Sequence, residues 1–276
     1  MNKWALIGFL CFLSVINAHA QNASPLILSS AFEDVVAVEF VSHQTILVLD
    51  QKDHQIIELD GSGKVIDRIG NKGSGSYQFN TPSDLASTTG LKRFVADHGN
   101  QRIQLFDKRG QLLGSITNNA SINDLPSFSP ALLSVNNFGE VIAYDSDAKR
   151  ILKFSENGAL LDHFSLPKGI KSVDDIETSG AKLYILDKEA KVVHELTENG
   201  LLVSFYPAEN TLAIRAKDDR IYLLKDTLVE YFQGSNRKVI STFSKIPELR
   251  AFDFHKGILI LASKNALYRL NYELED

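Results

Sequence analysis

The stretch VADHGNQRIQLFDKRGQ (residues 95–111) decides the fold of this chain. An apolar run ends at Asp97, a polar turn follows, a second apolar run ends at Asp107, and the next turn contains Gly110. Glycine adopts a positive φ at no steric cost, which suits a hairpin turn. The stretch therefore predicts two short strands, each followed by a tight turn.

The same pattern recurs along the chain. Apolar runs end, in order, at Asp50, Asp97, Asp145, Asp187, Lys225 and Ser263, at steps of 47, 48, 42, 38 and 38 residues. A four-stranded propeller blade repeats at roughly 40 to 50 residues. Each copy has a candidate strand before this run and a second β run after it, and in the first five copies a turn and a further strand follow. We therefore predict an all-β fold, a six-bladed β-propeller of four-stranded blades.

The sixth copy lacks its fourth strand, because the sequence ends with LYRLNYELED (residues 267–276). A spare apolar run, Leu26–Leu28, precedes the first full blade. We expect this N-terminal run to supply the missing outer strand and to close the ring without a disulfide.

The first twenty residues have the features of a secretory signal peptide. Lys3 is followed by an apolar run over residues 4–15 and by an Ala-x-Ala end at Ala20. We expect cleavage to leave one propeller domain over residues 21–276, secreted or periplasmic. The run is too short to span a membrane, and it holds Cys11, the one cysteine of the chain. The net charge of −5, or −6 once Lys3 is removed, argues against a nucleic-acid partner.

Residues 77–116 resemble an NHL repeat. The matching features are Phe79, Pro82, Val95–Asp97, Gly99–Asn100, Arg102–Ile103, Phe106–Asp107 and Gly110, after a glycine-rich link over residues 70–75. The resemblance implies an NHL-type six-bladed propeller, outside the cytoplasm in this case because of the leader.

The repeated Asp position has a structural interpretation. A carboxylate at the end of a strand can accept hydrogen bonds from the N–H groups of the turn that follows. Four blades carry Asp there, whereas a catalytic residue would be needed once. Arg102 is expected to lay its stem over the sheet and to keep its guanidinium in water.

The residues before the innermost strands should line the mouth of the central channel. The candidate binding residues there are Glu33, Asp34, Asp84, Asp174, Asp175 and Arg250. They could bind a cation, and Ca²⁺ suits carboxylate oxygens. Alternatively, each Asp caps its own inner strand, and its recurrence in several blades favours this second interpretation.

We predict a non-catalytic protein without a cofactor that binds a protein, peptide or glycan partner. No catalytic residue is assigned: amidating lyases built from NHL repeats hold zinc through His before inner strands, where this chain has Glu33, Ser83 and Arg250. Exposed aromatic residues could form the binding patch, the candidates being Tyr77, Phe79, Phe128 and Tyr206, although Phe79 is expected to pack between blades. The alternative is a metal-dependent hydrolase or lyase, which requires Glu33, Asp34, Asp84 and Asp175 to converge. RNA binding is opposed by the leader and by the acidic charge.

Overall fold

The computed structural model describes residues 22–42, 44–88, 91–118 and 127–272. The predicted signal peptide and most of the link between Thr117 and Pro130 lie outside the described residues. The strands are β1 (Asn22–Ala23), β2 (Leu26–Ser29), β3 (Val35–Ser42), β4 (Thr45–Asp50), β5 (Gln55–Asp60), β6 (Val65–Ile69), β7 (Pro82–Thr88), β8 (Lys92–Asp97), β9 (Arg102–Asp107), β10 (Leu112–Thr117), β11 (Pro130–Val135), β12 (Val141–Asp145), β13 (Arg150–Phe154), β14 (Leu160–Ser165), β15 (Asp175–Ser179), β16 (Lys182–Asp187), β17 (Val192–Thr197), β18 (Leu202–Pro207), β19 (Ala213–Lys217), β20 (Arg220–Leu224), β21 (Leu228–Gln233), β22 (Asn236–Phe243), β23 (Leu249–His255), β24 (Ile258–Ser263) and β25 (Leu267–Asn271).

The strands form six sheets arranged in a ring, and all pairs within them are antiparallel except β1 with β22. Blades one to four are β3–β6, β7–β10, β11–β14 and β15–β18, and blades five and six are built on β19–β22 and β23–β25. The inner strands β3, β7, β11, β15, β19 and β23 each contact the next one around the ring, and β23 contacts β3 again. The predicted six-bladed β-propeller is confirmed. One short 3-10 turn, His98–Asn100, is the helical segment of the described residues, and no helix there is long and apolar enough to cross a membrane.

The N-terminal segment closes the ring, as predicted. Strand β2 pairs antiparallel with β25 and becomes the outer strand of blade six. The sequence did not predict β1, which pairs in parallel with β22, so that blade five has a fifth strand. The segment thereby ties blade five to blade six, because β1 and β2 are separated by Ser24 and Pro25 alone.

Apolar packing lies between the blades. The buried side chains form six clusters, and each cluster joins residues of two neighbouring blades. Phe79 and Phe128 lie in the links before blades two and three and are fully buried in two of these clusters. These two aromatic residues hold blades together and are not exposed for a partner.

The repeated Asp residues are structural, as the recurrence suggested. Asp50 is fully buried and accepts hydrogen bonds from the N–H groups of Glu33 at 2.7 Å and Asp34 at 3.1 Å. It also accepts from Lys52 and Asp53 in the turn that follows its strand. Each such carboxylate thus joins the link that enters a blade to the turn between its second and third strands.

The prediction for Arg102 was wrong. Its Nε donates to the Asp97 carboxylate at 2.7 Å, and its Nη2 donates to the carbonyl oxygens of Gly75 and Gln78. The Asp97 side chain is fully buried, and a buried carboxylate needs a cation or several donors. The guanidinium therefore turns inward to this carboxylate. Arg150 makes the same contact with Asp145 at 2.8 Å.

Candidate functional site in the central channel

The mouth of the channel carries three of the predicted residues in ion pairs. Glu33 pairs with Lys52 at 2.8 Å, and both side chains are more than half exposed. Asp34 pairs with Arg250 at 2.5 Å and so joins blade one to blade six. These charges form a polar rim at the face where the links enter the blades.

Asp174 accepts hydrogen bonds from the link and the turn of its own blade, blade four. Its carboxylate accepts from the Ser172 hydroxyl at 2.5 Å and from the Lys188 N–H at 2.9 Å. It points to the link and turn beside it and makes no contact with Asp34 or Arg250 in the described structure. The predicted rim is thus spread over separate blades.

Asp84 and Asp175 lie deeper, in the channel itself, where they join neighbouring blades. The Asp84 carboxylate accepts from the Leu133 N–H of blade three at 2.7 Å, and Asp175 accepts from the Ile214 N–H of blade five at 2.8 Å. Asp253 of blade six does the same with the Phe40 N–H of blade one at 2.6 Å. The three Asp residues stand on alternate blades and fasten each to the next one.

A second ring of polar residues lies one step deeper and was missed by the sequence interpretation. Each blade contributes one residue of its inner strand. This residue pairs with the residue of the second strand that lies three positions before the strand-end position. The six residues, in blade order, are Glu39, Ala86, Ser134, Glu177, Arg215 and Asp253. Five of the six are polar, although they lie in the middle of inner strands. Polar residues at one repeated position inside apolar strands were the signal that could have revealed this ring.

Arg215 crosses the channel at this level. Its Nη1 donates to Glu177 of blade four at 2.6 Å, and its Nη2 donates to the Val38 carbonyl of blade one at 3.0 Å. Its Nε lies 4.0 Å from the Asp253 carboxylate, and its guanidinium lies over the Phe252 ring at 6.0 Å. The guanidinium therefore lies between Glu177 of blade four and Asp253 of blade six, within the second ring of polar residues.

The inner strands enclose these carboxyl groups, and this burial raises their pKa values. Burial raises the pKa of Glu39 to about 8, against the opposing attraction of Arg215. Burial also raises the pKa of Asp84 to about 7, and the nearby Asp175 carboxylate adds to this shift. The pKa of Glu177 lies well above its usual range for the same reason, and those of Asp175 and Asp253 are raised. At neutral pH Glu39 is therefore mostly protonated, and Arg215 neutralises charge on its neighbours.

The geometry required for the metal-enzyme alternative is not met in the part of the chain that the structure describes. No three side chains of His, Cys, Asp or Glu are grouped there so that they could hold a metal ion. Glu33 and Asp34 have Lys52 and Arg250 as partners at the rim, whereas Asp84 and Asp175 bind backbone inside the channel. The four carboxylates that this alternative needs do not converge.

Comparison with protein families and with curated proteins shows limited sequence similarity. No family model matches the chain. The E3 ubiquitin-protein ligase TRIM32 of Mus musculus is 29% identical over an aligned length of 146 residues, and the match covers 46% of this chain. The match covers 22% of the length of TRIM32, so most of that protein has no counterpart here.

Solved structures of similar fold include enzymes. A streptogramin B lyase has a TM-score of 0.65 with 14% identity, covering 91% of this chain and 97% of its own. A gluconolactonase from Xanthomonas campestris has a TM-score of 0.68 with 14% identity, covering 90% and 89% respectively. A virginiamycin B lyase from Staphylococcus aureus has a TM-score of 0.63 with 12% identity, covering 90% and 98%. At these identities the likeness concerns the propeller fold.

Proposed function

We propose that this chain is an NHL-type propeller that acts without catalysis, by binding a protein, peptide or glycan partner outside the cytoplasm. The observation that supports this most is Arg215, which bonds blades four and one across the channel. This contact gives Glu177, inside the channel, a partner within the chain itself. The exposed rim remains as the surface that a partner can reach.

The rim suits a polar partner of mixed charge. Glu33, Lys52 and Arg250 combine both signs of charge at the mouth, and each is at least one-third exposed. Rim ion pairs of this exposure contribute little to stability, so they can exchange partners at low cost. Of the predicted binding residues, Glu33, Asp34, Asp174 and Arg250 remain the proposed set at the rim, whereas Asp84 and Asp175 accept from backbone N–H groups inside the channel. The proposed location rests on the leader at residues 1–20.

Binding to arrays of glycans and short peptides tests the proposal. We expect the labelled protein to be retained on at least one class of probe, and Glu33→Lys and Arg250→Glu to weaken this retention at least tenfold. Asp218→Lys is the matched control, because Asp218 is an exposed acidic residue in the turn between β19 and β20, at the opposite face. Equal loss in the control, or no retention of the wild-type protein, would count against the rim.

Thermal unfolding with Ca²⁺, Zn²⁺ or Mn²⁺, and with EDTA, separates the metal-enzyme alternative from this proposal. A metal at a hundred times its Kd would stabilise the fold by about 2.7 kcal/mol, which is a shift of several degrees in a chain of this size. We expect no shift. A shift that disappears in Asp84→Asn would favour the hydrolase or lyase alternative, with its site in the channel.

A further inference from the structure

The outer edge of blade four is unusually apolar. Leu201, Leu202, Val203 and Phe205 are all half or more exposed, and they make up four of the twelve exposed large apolar side chains of the described residues. We call these four residues the blade-four edge. Scattered apolar residues are normal on a protein surface, but four within five positions form a patch, and such patches mark interaction sites.

This patch departs from the repeat. Val203 has equivalents in Ile66, Leu113 and Leu161, which are the bulged residues of the outer strands in blades one to three and are about equally exposed. The position of Phe205 differs, because the corresponding residues in those blades are Arg68, Ser115 and His163. A repeat that accepts polar residues elsewhere carries an exposed phenylalanine in blade four. Folding of the blade does not require that side chain.

The edge also lacks charge. Strand β18 reads LVSFYP and contains no charged residue, and the same is true of β10, which reads LLGSIT and has no exposed aromatic residue. By contrast, β6 contains Asp67 and Arg68, and β14 contains Asp162. Charged residues on an edge strand prevent pairing with another chain, and β18 has none of this protection. It is the last strand of its sheet in the described structure. Its outward main-chain groups are therefore available for pairing with another strand.

The chain itself shows that an outer edge of this propeller accepts a further strand. Strand β1 pairs with β22, the outer strand of blade five, with Asn22 opposite Thr242 and Ala23 opposite Phe243. The outer strands of the blades share the same antiparallel packing onto their third strands. The added strand on blade five is a precedent for addition at β18.

We propose that a second copy of this chain docks on the blade-four edge, with the two β18 strands antiparallel across a two-fold axis. A two-fold contact places each residue near the axis of β18 close to its own copy, so a charge there would lie beside a like charge. Strand β18 has no charged residue and avoids this repulsion. The patch exposes on the order of 400 Å² per copy, about half of what each partner buries in a standard stable interface. The dimer is accordingly weak, and it joins two blades into one continuous sheet.

Sedimentation velocity of the purified protein without any partner, from about 1 to 500 µM, tests the dimer. We expect a reversible monomer–dimer equilibrium with a Kd of the order of tens of micromolar. Val203→Lys should raise this Kd at least tenfold. Ile66→Lys is the matched control, because Ile66 occupies the same repeat position in blade one and both side chains are 57% exposed.

Hydrogen exchange tests the proposed main-chain pairing. Amides of Val203–Tyr206 should become more protected as the concentration of wild-type protein rises, and not in Val203→Lys. A protein that stays monomeric throughout, or an equal effect of the two lysine variants, overturns the proposal. These measurements use no ligand, so their outcome is independent of partner binding at the rim.

Discussion

At the scale of the residue, carboxylates fulfil two different tasks in this protein. The strand-end Asp97 and Asp145 are fully buried, and each carboxylate contacts an arginine of its own blade, Arg102 and Arg150 respectively. Glu39 lies in the channel, where one of its oxygens is buried without a hydrogen-bond partner and burial raises its pKa to about 8. Glu39 differs from Asp97 and Asp145 in the number of hydrogen-bond donors that contact its carboxyl group.

Glu39 should make the stability of the fold depend on pH. The pKa of Glu39 is about 8 in the folded protein, whereas its ordinary value is 4.5. Between pH 4.5 and pH 8 the unfolded chain has therefore released this proton while the folded protein keeps it. The free energy of unfolding falls as the pH rises through this range. Glu39→Gln should remove this loss, with a gain of about 4 kcal/mol at pH 8 and less than about 1 kcal/mol at pH 5. Urea unfolding at several pH values measures it, with the exposed Glu33→Gln as the control. An unchanged pH slope in Glu39→Gln would contradict the assignment.

At the scale of the element, the N-terminal strand is the feature that completes the ring. Leu28 of β2 packs against the cluster between blades six and one. Gly63, in the turn of blade one with φ +85°, lies so close to Leu28 that a Cβ would fall 2.3 Å from its carbonyl oxygen. This close approach needs glycine, and it locks β2 against the blade that follows.

Loss of β2 should cost much more than loss of β1. Deleting residues 22–29 removes the outer strand of blade six and leaves β25 as an edge, which we expect to destabilise the fold by about 3 kcal/mol or more. In a chain of this size that lowers the unfolding midpoint by roughly 6 to 12 °C. Deleting residues 22–24 alone, the matched control, removes β1 and should have a clearly smaller effect. Calorimetry compares the two, and equal midpoints would show that β2 does not hold the ring closed.

At the scale of the whole molecule, polar contacts in the channel bind all six blades to one another. Asp84, Asp175 and Asp253 connect blades two to three, four to five and six to one. Ser134 accepts the Thr178 N–H and so connects blades three and four. Arg215 reaches blades four and one from blade five. Together with the six apolar clusters between blades, these contacts make the ring a cooperative unit.

Removing the cation at the centre should weaken the whole ring. Arg215→Met leaves Glu177 and Asp253 enclosed without a compensating charge, and breaking such a pair typically costs about 3 to 5 kcal/mol. The double variant Arg215→Met with Glu177→Gln should recover part of this loss, because it removes one of the stranded charges. Arg109→Met, at an exposed arginine, should have almost no effect. Denaturant unfolding measures all three, and a single variant as stable as the wild type would contradict this role for Arg215.

Much of the architecture could be predicted from local sequence patterns, because the pattern of one blade recurs six times. The run before each strand-end position, the glycine turns and the unpaired apolar run at Leu26–Leu28 were sufficient to predict six blades and the closing strand. The parallel pairing of β1 could not be predicted, because two residues carry no periodicity. The inward turn of Arg102 escaped prediction because it depends on the buried Asp97 and on two carbonyl oxygens from the preceding link.

The sequence by itself determined the all-β class, the blade count and the place of the repeated Asp residues, since period and turn chemistry are local properties. Tertiary structure alone decided which carboxylates share the channel and which stay at the rim. The sequence comparison aligns Asp34 with Asp84, but the strand register separates them: Asp34 precedes β3, whereas Asp84 lies within β7 opposite Ala96. Asp34 therefore pairs with Arg250 at the mouth, and Asp84 accepts from the Leu133 N–H inside. These contacts depend on the radial closure of six sheets, which brings together residues that lie as far apart in sequence as Val38 and Arg215.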